Sequence, residues 1–305
     1  MVAVLSSAPL VAGLTAVAVA AAWNAGAPLP EPRTEVAAAA LGQRIVVVGG
    51  FLASGANSRR VDAYDTRRDT WERLPDLPVS VDHAAAASWR GRVVVVGGYG
   101  ADRQPLRAAF VFDGTRWRNL PRPPEERAAA AAAATADGRV LVVGGRKRDG
   151  LATTALSLDL RTLRWRTVRG PRPREHLSAT ALGGRVYAIG GRLAGYDTNL
   201  AAVERYDAAR NRWTRLPDLP DPRGGTGATA IAGRIVSVGG ESPEGTTKSV
   251  WALPRQAQRW VRLPDLPTPR HGLGVVALGG RVWVIAGGPK PGLTVSGAVE
   301  FLRVP

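Results

Sequence analysis

Six short apolar runs recur along the chain, each ending at a glycine-containing pair. They are Ile45–Val48, Val93–Val96, Val140–Val143, Val186–Ile189, Ile235–Val238 and Val282–Ile285. Five run into Gly-Gly, beginning at Gly49, Gly97, Gly144, Gly190 and Gly239, and the sixth into Ala286-Gly287. The first members of these pairs stand 48, 47, 46, 49 and 47 residues apart. Such brief, continuously apolar runs predict strands covered on both faces. The flanking polar–apolar pattern predicts three more strands per unit. In the first unit Thr34–Leu41 leads through a tight turn into Arg44–Gly50, and after an irregular loop come Arg60–Asp65 and Thr70–Pro75.

A second marker keeps the same period. Trp71, Trp117, Trp165, Trp213 and Trp260 each precede a proline-bearing turn. In three units that turn reads RLPDLP, at Arg73–Pro78, Arg215–Pro220 and Arg262–Pro267. Proline fixes φ and removes a donor, which suits a crossing from one sheet to the next. Ala128–Ala134 is an unbroken alanine run with high helix propensity. Ala37–Ala40 and Ala84–Ala87 hold the same place in their own units, so the repeat predicts innermost strands where only small side chains fit. Six four-stranded units of about 45–50 residues predict an all-β, six-bladed β-propeller.

A doubled glycine after strand two, an aromatic in strand three and a Trp in strand four resemble the kelch repeat. Here these are Gly49-Gly50, Tyr64 and Trp71, then Gly190-Gly191, Tyr206 and Trp213. The resemblance, of the kind bacterial kelch proteins carry, covers about residues 23–305. It departs where Leu158, Leu253 and Leu302 replace the strand-three aromatic. The last unit stops after a third strand in Gly297–Pro305, whereas Ala21–Arg33 matches the missing Trp strand, with Trp23 in phase. A strand around Trp23 is therefore expected to pair with residues 297–304 and close the ring, removing two open edges. Residues 1–22 carry no charged side chain and support two expectations. One is a leader with its apolar region at Val11–Ala22, which would make the protein secreted or envelope-associated. The other is a buried N-terminal strand in a protein that stays cytoplasmic. The run is short for a membrane-spanning helix.

Charge changes the picture of partners. Lys+Arg number 41 against 25 Asp+Glu, giving a net charge of +16. Such an excess favours anionic partners, and GC-rich codon usage would produce the same composition. The chain has no cysteine, which excludes disulfides, thiolate metal sites and cysteine nucleophiles. The Tyr–Cys copper centre of galactose oxidase, to which the repeats bear a distant resemblance, is excluded in its known form. HExxH, P-loop and GxSxG motifs are missing.

The loops joining strand four to strand one and strand two to strand three share one face, and the resemblance implies binding there. The approach to strand one carries Arg33, Arg127, Arg174, Arg223 and Arg270, with Val81 in the second unit. His83, His176 and His271 sit in the same place, beside Glu35, Glu126 and Glu175. Such a ring is suited to gripping carboxylate or sulfate, or equally to bonding the backbone of neighbouring blades. Arg146, Lys147, Arg148 and Tyr196 are candidate contributors from the variable loops. The three histidines occupy alternate blades and are expected to stand too far apart for a common ion unless the channel is narrow, so no metal or cofactor is expected. Arg44, Arg92, Arg139, Arg185, Arg234 and Arg281 open strand two on the opposite face, where stems covering apolar edges are favoured over a basic binding rim. The expected function is a monomeric, non-catalytic module recognising a protein or anionic glycan. The alternative resembles the sialic-acid mutarotases, also six-bladed kelch propellers, and requires a Glu or His within reach of an Arg in a concave pocket. Nucleic acid is disfavoured, because no series of stacking aromatics accompanies the arginines.

Overall fold

The computed structural model describes residues 22–304. Six antiparallel four-stranded sheets are arranged in a ring. Blade 1 takes Ala37–Leu41, Arg44–Val48, Val61–Asp65 and Thr70–Leu74 from the axis outward, and blades 2 to 5 repeat that order. Blade 6 takes Gly274–Leu278, Arg281–Ile285 and Val299–Arg303 and is completed by Trp23–Gly26, in the register Trp23↔Leu302 to Gly26↔Val299. The expected closure is thus present. The leader read from residues 1–22 lies outside the described residues apart from Ala22. Among the described residues no helix is long and apolar enough to cross a membrane.

The apolar runs form the second strands and are buried on both faces. The alanine run is a strand at Ala131–Ala134, paired Ala131↔Val143 to Ala134↔Val140. Its helix propensity is overridden because neighbouring first strands converge on the axis, which is lined mostly by alanine, with Val275, Val276 and Thr180 among the larger exceptions.

Blade-to-blade contacts explain the repeated letters. Each period-marking Trp donates its indole N–H to a carbonyl of the preceding blade's exit: Trp23 to Pro264 at 2.9 Å, Trp71 to Ala27 at 2.8 Å, Trp117 to Pro75 at 2.9 Å, Trp165 to Pro121 at 2.7 Å, Trp213 to Arg169 at 2.8 Å and Trp260 to Pro217 at 3.0 Å. In RLPDLP the first proline therefore supplies the acceptor at Pro75, Pro217 and Pro264. The leucine between the prolines is buried (Leu77, Leu219, Leu266), and Arg and Asp three apart form an ion pair across the turn.

The glycine pairs dock on the next blade. The second member donates to the carbonyl of the residue leading into the neighbouring first strand: Gly50 to Val81, Gly98 to Arg127, Gly145 to Arg174, Gly191 to Arg223, Gly240 to Arg270 and Gly287 to Arg33, at 2.7–2.9 Å. The first member is left-handed, and at Gly97 (φ 65°) a Cβ would stand 2.0 Å from the Arg127 carbonyl oxygen. Gly97→Ala should destabilise the protein by more than about 2 kcal/mol, since the left-handed backbone alone costs an L-residue ~1–2 kcal/mol and the clash adds to it. Urea unfolding checks this, with Ala286→Gly, at the one equivalent position that already carries a methyl, close to neutral.

Candidate functional site

The approach to each first strand brings all six blades within backbone hydrogen-bonding reach of one another. The second residue after the recurring Arg (Val81 in blade 2) is left-handed in every blade: Glu35 (φ 52°), His83 (51°), Ala129 (50°), His176 (51°), Gly225 (59°) and Gly272 (57°). Their backbones join head to tail. His83 N–H donates to Glu35 O at 3.0 Å, Ala129 to His83 at 3.1 Å, and His176 to Ala129, Gly225 to His176 and Gly272 to Gly225 at 2.9 Å. Val36 N–H closes the collar on Gly272 O at 3.3 Å. A rigid hydrogen-bonded collar therefore surrounds the axis and aims three functional side chains inward.

Those side chains meet. His83 Nε2 stands 3.0 Å from His176 Nε2 and 3.2 Å from Glu35 Oε2. His83 Nδ1 is hydrogen-bonded to Asp82, and His176 Nδ1 lies 3.4 Å from Glu175 Oε1. Glu35 Oε1 is 3.1 Å from His271 Nδ1, while His271 Nε2 faces the carbonyls of Lys290 at 3.1 Å and Gly292 at 3.0 Å. Arg192 binds Glu241 at 2.6 Å and approaches Glu175 at 3.7 Å, and Arg146 reaches Glu175 at 3.5 Å. The expected separation of the histidines is thus corrected for His83 and His176: blades on different sides of the ring reach a common point because the collar is narrow. His271 is one residue out of step with them, since Gly272 holds the collar position, and it braces Glu35 from the side.

The protonation pattern follows from this geometry. Both His271 nitrogens face acceptors, including Glu241 Oε2 at 3.5 Å from Nδ1, so both must donate and the ring is an imidazolium. Burial works against that charge, but Glu35 and Glu241 raise the His271 pKa above the ordinary value. Burial likewise opposes charge on His83, and Glu35 and Asp82 overcome it. Burial depresses His176; Glu175 pulls the other way and His83 adds to the depression. Burial would raise the Glu35 carboxyl, yet His83 and the His271 hydrogen bond hold it well below the usual carboxylate range. The mouth is a balanced network of carboxylates with imidazolium and guanidinium groups, not a basic ring.

Of the two roles open to the five arginines, burial places them in the structural one, within their own blades and not on the neighbouring ones. Arg33, Arg127, Arg174, Arg223 and Arg270 are at most 1% exposed. Arg33, Arg174 and Arg223 fold into their own blades and donate to the first glycine of the pair, at Gly49, Gly190 and Gly239. Each of the five pairs with an acid. In blades 1, 4 and 6 strand three supplies it: Asp62 at 2.5 Å, Glu204 at 2.5 Å and Glu300 at 3.0 Å. In blades 3 and 5 the residue two before the Arg does so, Glu125 at 2.8 Å and Asp221, with Thr154 and Ser249 hydroxyls assisting. Burial lowers the Arg33 pKa to about 10, against the pull of Asp62. These side chains are internal struts. Tyr196 is on the face, its ring 5.0 Å from the Arg192 guanidinium. Glu126 stays outside the cluster and accepts from Arg148 N–H at 3.3 Å. On the opposite face Arg281 lies over Trp283 and Phe301, whereas Arg44, Arg139 and Arg185 pair with Glu72, Asp137 and Asp207.

Sequence reasoning missed Asp82, Arg192 and Glu241. Asp82 and Glu175 share the position just after the recurring residue, one before the collar, and counting from that residue would have found both.

A closed six-bladed ring with a polar collar at its mouth is a propeller of the repeat-protein class. The profile of the KLHDC2/KLHL20/DRC7 kelch-repeats domain matches residues 19–191, just over half the chain, and that of the kelch motif matches residues 173–220. The chain belongs to the kelch-repeat family. Among its relatives, Kelch-like protein 38 of Rattus norvegicus is 26% identical over 204 residues, covering 65% of this chain and 34% of that protein. Kelch-like protein 25 of Homo sapiens is 27% identical over 207 residues, 63% of this chain and 34% of its own length. Kelch-like protein 40 of Mus musculus is 30% identical over 205 residues, 63% of this chain and 32% of its own length. The chain spans about a third of the length of these relatives.

Proposed function

We propose that the propeller is a binding module that takes a protein partner on the face bearing the collar and the variable loops. The observation that carries this reading is a mixed surface there. Leu193, Tyr196 and Leu293 are exposed, and the Tyr196 hydroxyl stands 3.9 Å from where a Cβ on Gly292 would be, so loops of blades 4 and 6 approach each other. Exposed cations Arg103, Arg148 and Lys290 stand on the strand two to strand three loops of blades 2, 3 and 6. An aromatic and aliphatic centre with a cationic rim suits a protein surface carrying acidic groups. Affinity capture from the native extract, compared across variants, tests it. The wild type should retain a partner that Tyr196→Ala with Leu293→Ala loses, while Arg92→Ala on the opposite face retains it. Retention by all three overturns the reading. Binding on a glycan array that weakens with salt and needs Arg103 and Arg148 would assign an anionic glycan instead.

A second reading, a sugar-acid mutarotase, draws on Glu175 within 3.5 Å of Arg146 above a funnel of about 170 Å³ lined by Glu35, His83 and His176. NMR of sialic-acid anomers showing no rate gain with the protein dismisses it.

A further inference from the structure

We propose that Glu35, His83 and His176 are the protein ligands of a divalent metal ion on the propeller axis, of the class that zinc represents.

The donor atoms argue for it first. A carboxylate oxygen and two imidazole nitrogens from blades 1, 2 and 4 converge, all within 4.8 Å of one another. Zinc holds such donors at about 2.0–2.2 Å, which puts tetrahedral ligands about 3.3 Å apart. The pairs His83–His176 at 3.0 Å and Glu35–His83 at 3.2 Å are near that separation. Glu35 and His176 must draw together as the ion enters, a side-chain rotation with no change in the collar.

The outer partners argue for it next. A metal-binding histidine keeps one nitrogen for the ion and directs the other to a carboxylate or carbonyl. Asp82 takes His83 Nδ1, and Glu175 flanks His176 Nδ1 at 3.4 Å, so both Nε2 atoms are turned to the same point. His271 occupies Glu35 Oε1 and leaves Oε2 for the ion. Arg146 and Arg192 in turn hold Glu175.

The backbone adds an independent argument. Glu35, His83 and His176 adopt φ values of 51–52°, whereas blades 5 and 6 place Gly225 and Gly272 at the equivalent positions. A left-handed non-glycine residue is unfavourable by about 1 kcal/mol or more, and such strain concentrates at functional sites. Four of the six collar positions keep a side chain where glycine would relieve the strain; Ala129 (φ 50°) carries only a methyl, and the other three are the ones that converge. Ala129, Gly225 and Gly272 leave the remaining coordination space open to the funnel. The ligands' side chains are 10–12% exposed, which provides a path for the ion.

The test uses the whole chain, freed of metal by chelation and titrated with Zn²⁺ by calorimetry and with Co²⁺ by visible absorption. One equivalent of each should bind, and the cobalt form should show the intense bands of low-coordinate Co²⁺. Asp82→Asn should weaken binding about 10- to 100-fold, and His176→Gln by at least about 100-fold. Zn²⁺ should raise the unfolding temperature of the wild type but not of His176→Gln. If His83→Gln does not fold, His176→Gln, whose Nδ1 makes no well-aligned hydrogen bond, decides the matter. The proposal is overturned if the folded wild type takes up no stoichiometric zinc, or if uptake and thermal shift are the same in His176→Gln.

Discussion

Arg174→Ala should unfold the propeller without first blunting its mouth, lowering stability by about 3–5 kcal/mol. The Arg174 side chain is fully buried and serves four acceptors. It donates to Gly190 O at 2.6 Å, Arg172 O at 2.9 Å, Ala188 O at 3.3 Å and Glu204 at 2.5 Å. Truncation leaves three carbonyls without this donor, a mostly buried carboxylate without its partner, and a cavity the length of the side chain. An unpartnered buried charge is the costliest of these. Arg103→Ala, by contrast, removes a side chain that is 63% exposed and whose nearest acid, Asp82, is 3.7 Å away, so it should move stability by less than about 1 kcal/mol. Urea unfolding distinguishes the two through the midpoint at constant slope. The double variant Arg174→Met, Glu204→Leu should recover part of the loss by removing both charges together, and only part, because the carbonyls stay unserved. A loss below about 1 kcal/mol for Arg174→Ala would return the buried arginines to the list of binding groups.

What could be read from the sequence divides along a physical line. The blades were legible because each is a local unit whose period is written in side chains with one task each: the glycine pair beside a carbonyl, the Trp on the preceding blade's exit, the leucine of RLPDLP in the core. The arginine struts were half legible. Arg33, Arg174 and Arg223 each bond a glycine carbonyl 16 residues on, a constant spacing that marks an intrablade contact. The charge excess nonetheless drew attention to binding, because composition cannot tell a buried guanidinium from a wet one. Blade 2 carries the telling exception: Val81 replaces the arginine, and strand three there, Ala109–Phe112, offers no acid. The collar was least legible. His83 and His176 are 93 residues apart, and their meeting depends on the radius of the ring and on a positive φ that reverses where their side chains point. Neither quantity is carried by residue type or spacing.

Trp23→Ala should open the ring at one place. Among the described residues the strand Trp23–Gly26 is held to blade 6 by its ladder with Val299–Arg303 and by packing beside Leu302 and Val304, and to the exit of blade 5 by the indole bond to Pro264 O. The other five period-marking tryptophans lie on, or for Trp260 immediately before, strands continuous with their own blades, so losing one loosens an interface that the chain itself still holds together. Here no covalent link joins the two sides of the closing ladder. Truncating this half-buried Trp should remove about 2–3 kcal/mol, below the range for fully buried aromatics. The loss falls on a local opening, so amide exchange in Val299–Arg303 should accelerate about 30- to 160-fold while the second strands of blades 2 to 4 keep nearly their original protection. Trp165→Ala is the control, and its loss should be spread over the whole ring. Asn24→Pro with Ala25→Pro should act more strongly than Trp23→Ala, since one of the two adjacent amides must face the ladder. Opening also bares the edge of Val299–Arg303, an invitation to pair with another chain, so aggregation should rise in step with exchange. Equal acceleration in every blade would mean that the propeller opens as a whole and that the termini are not its latch.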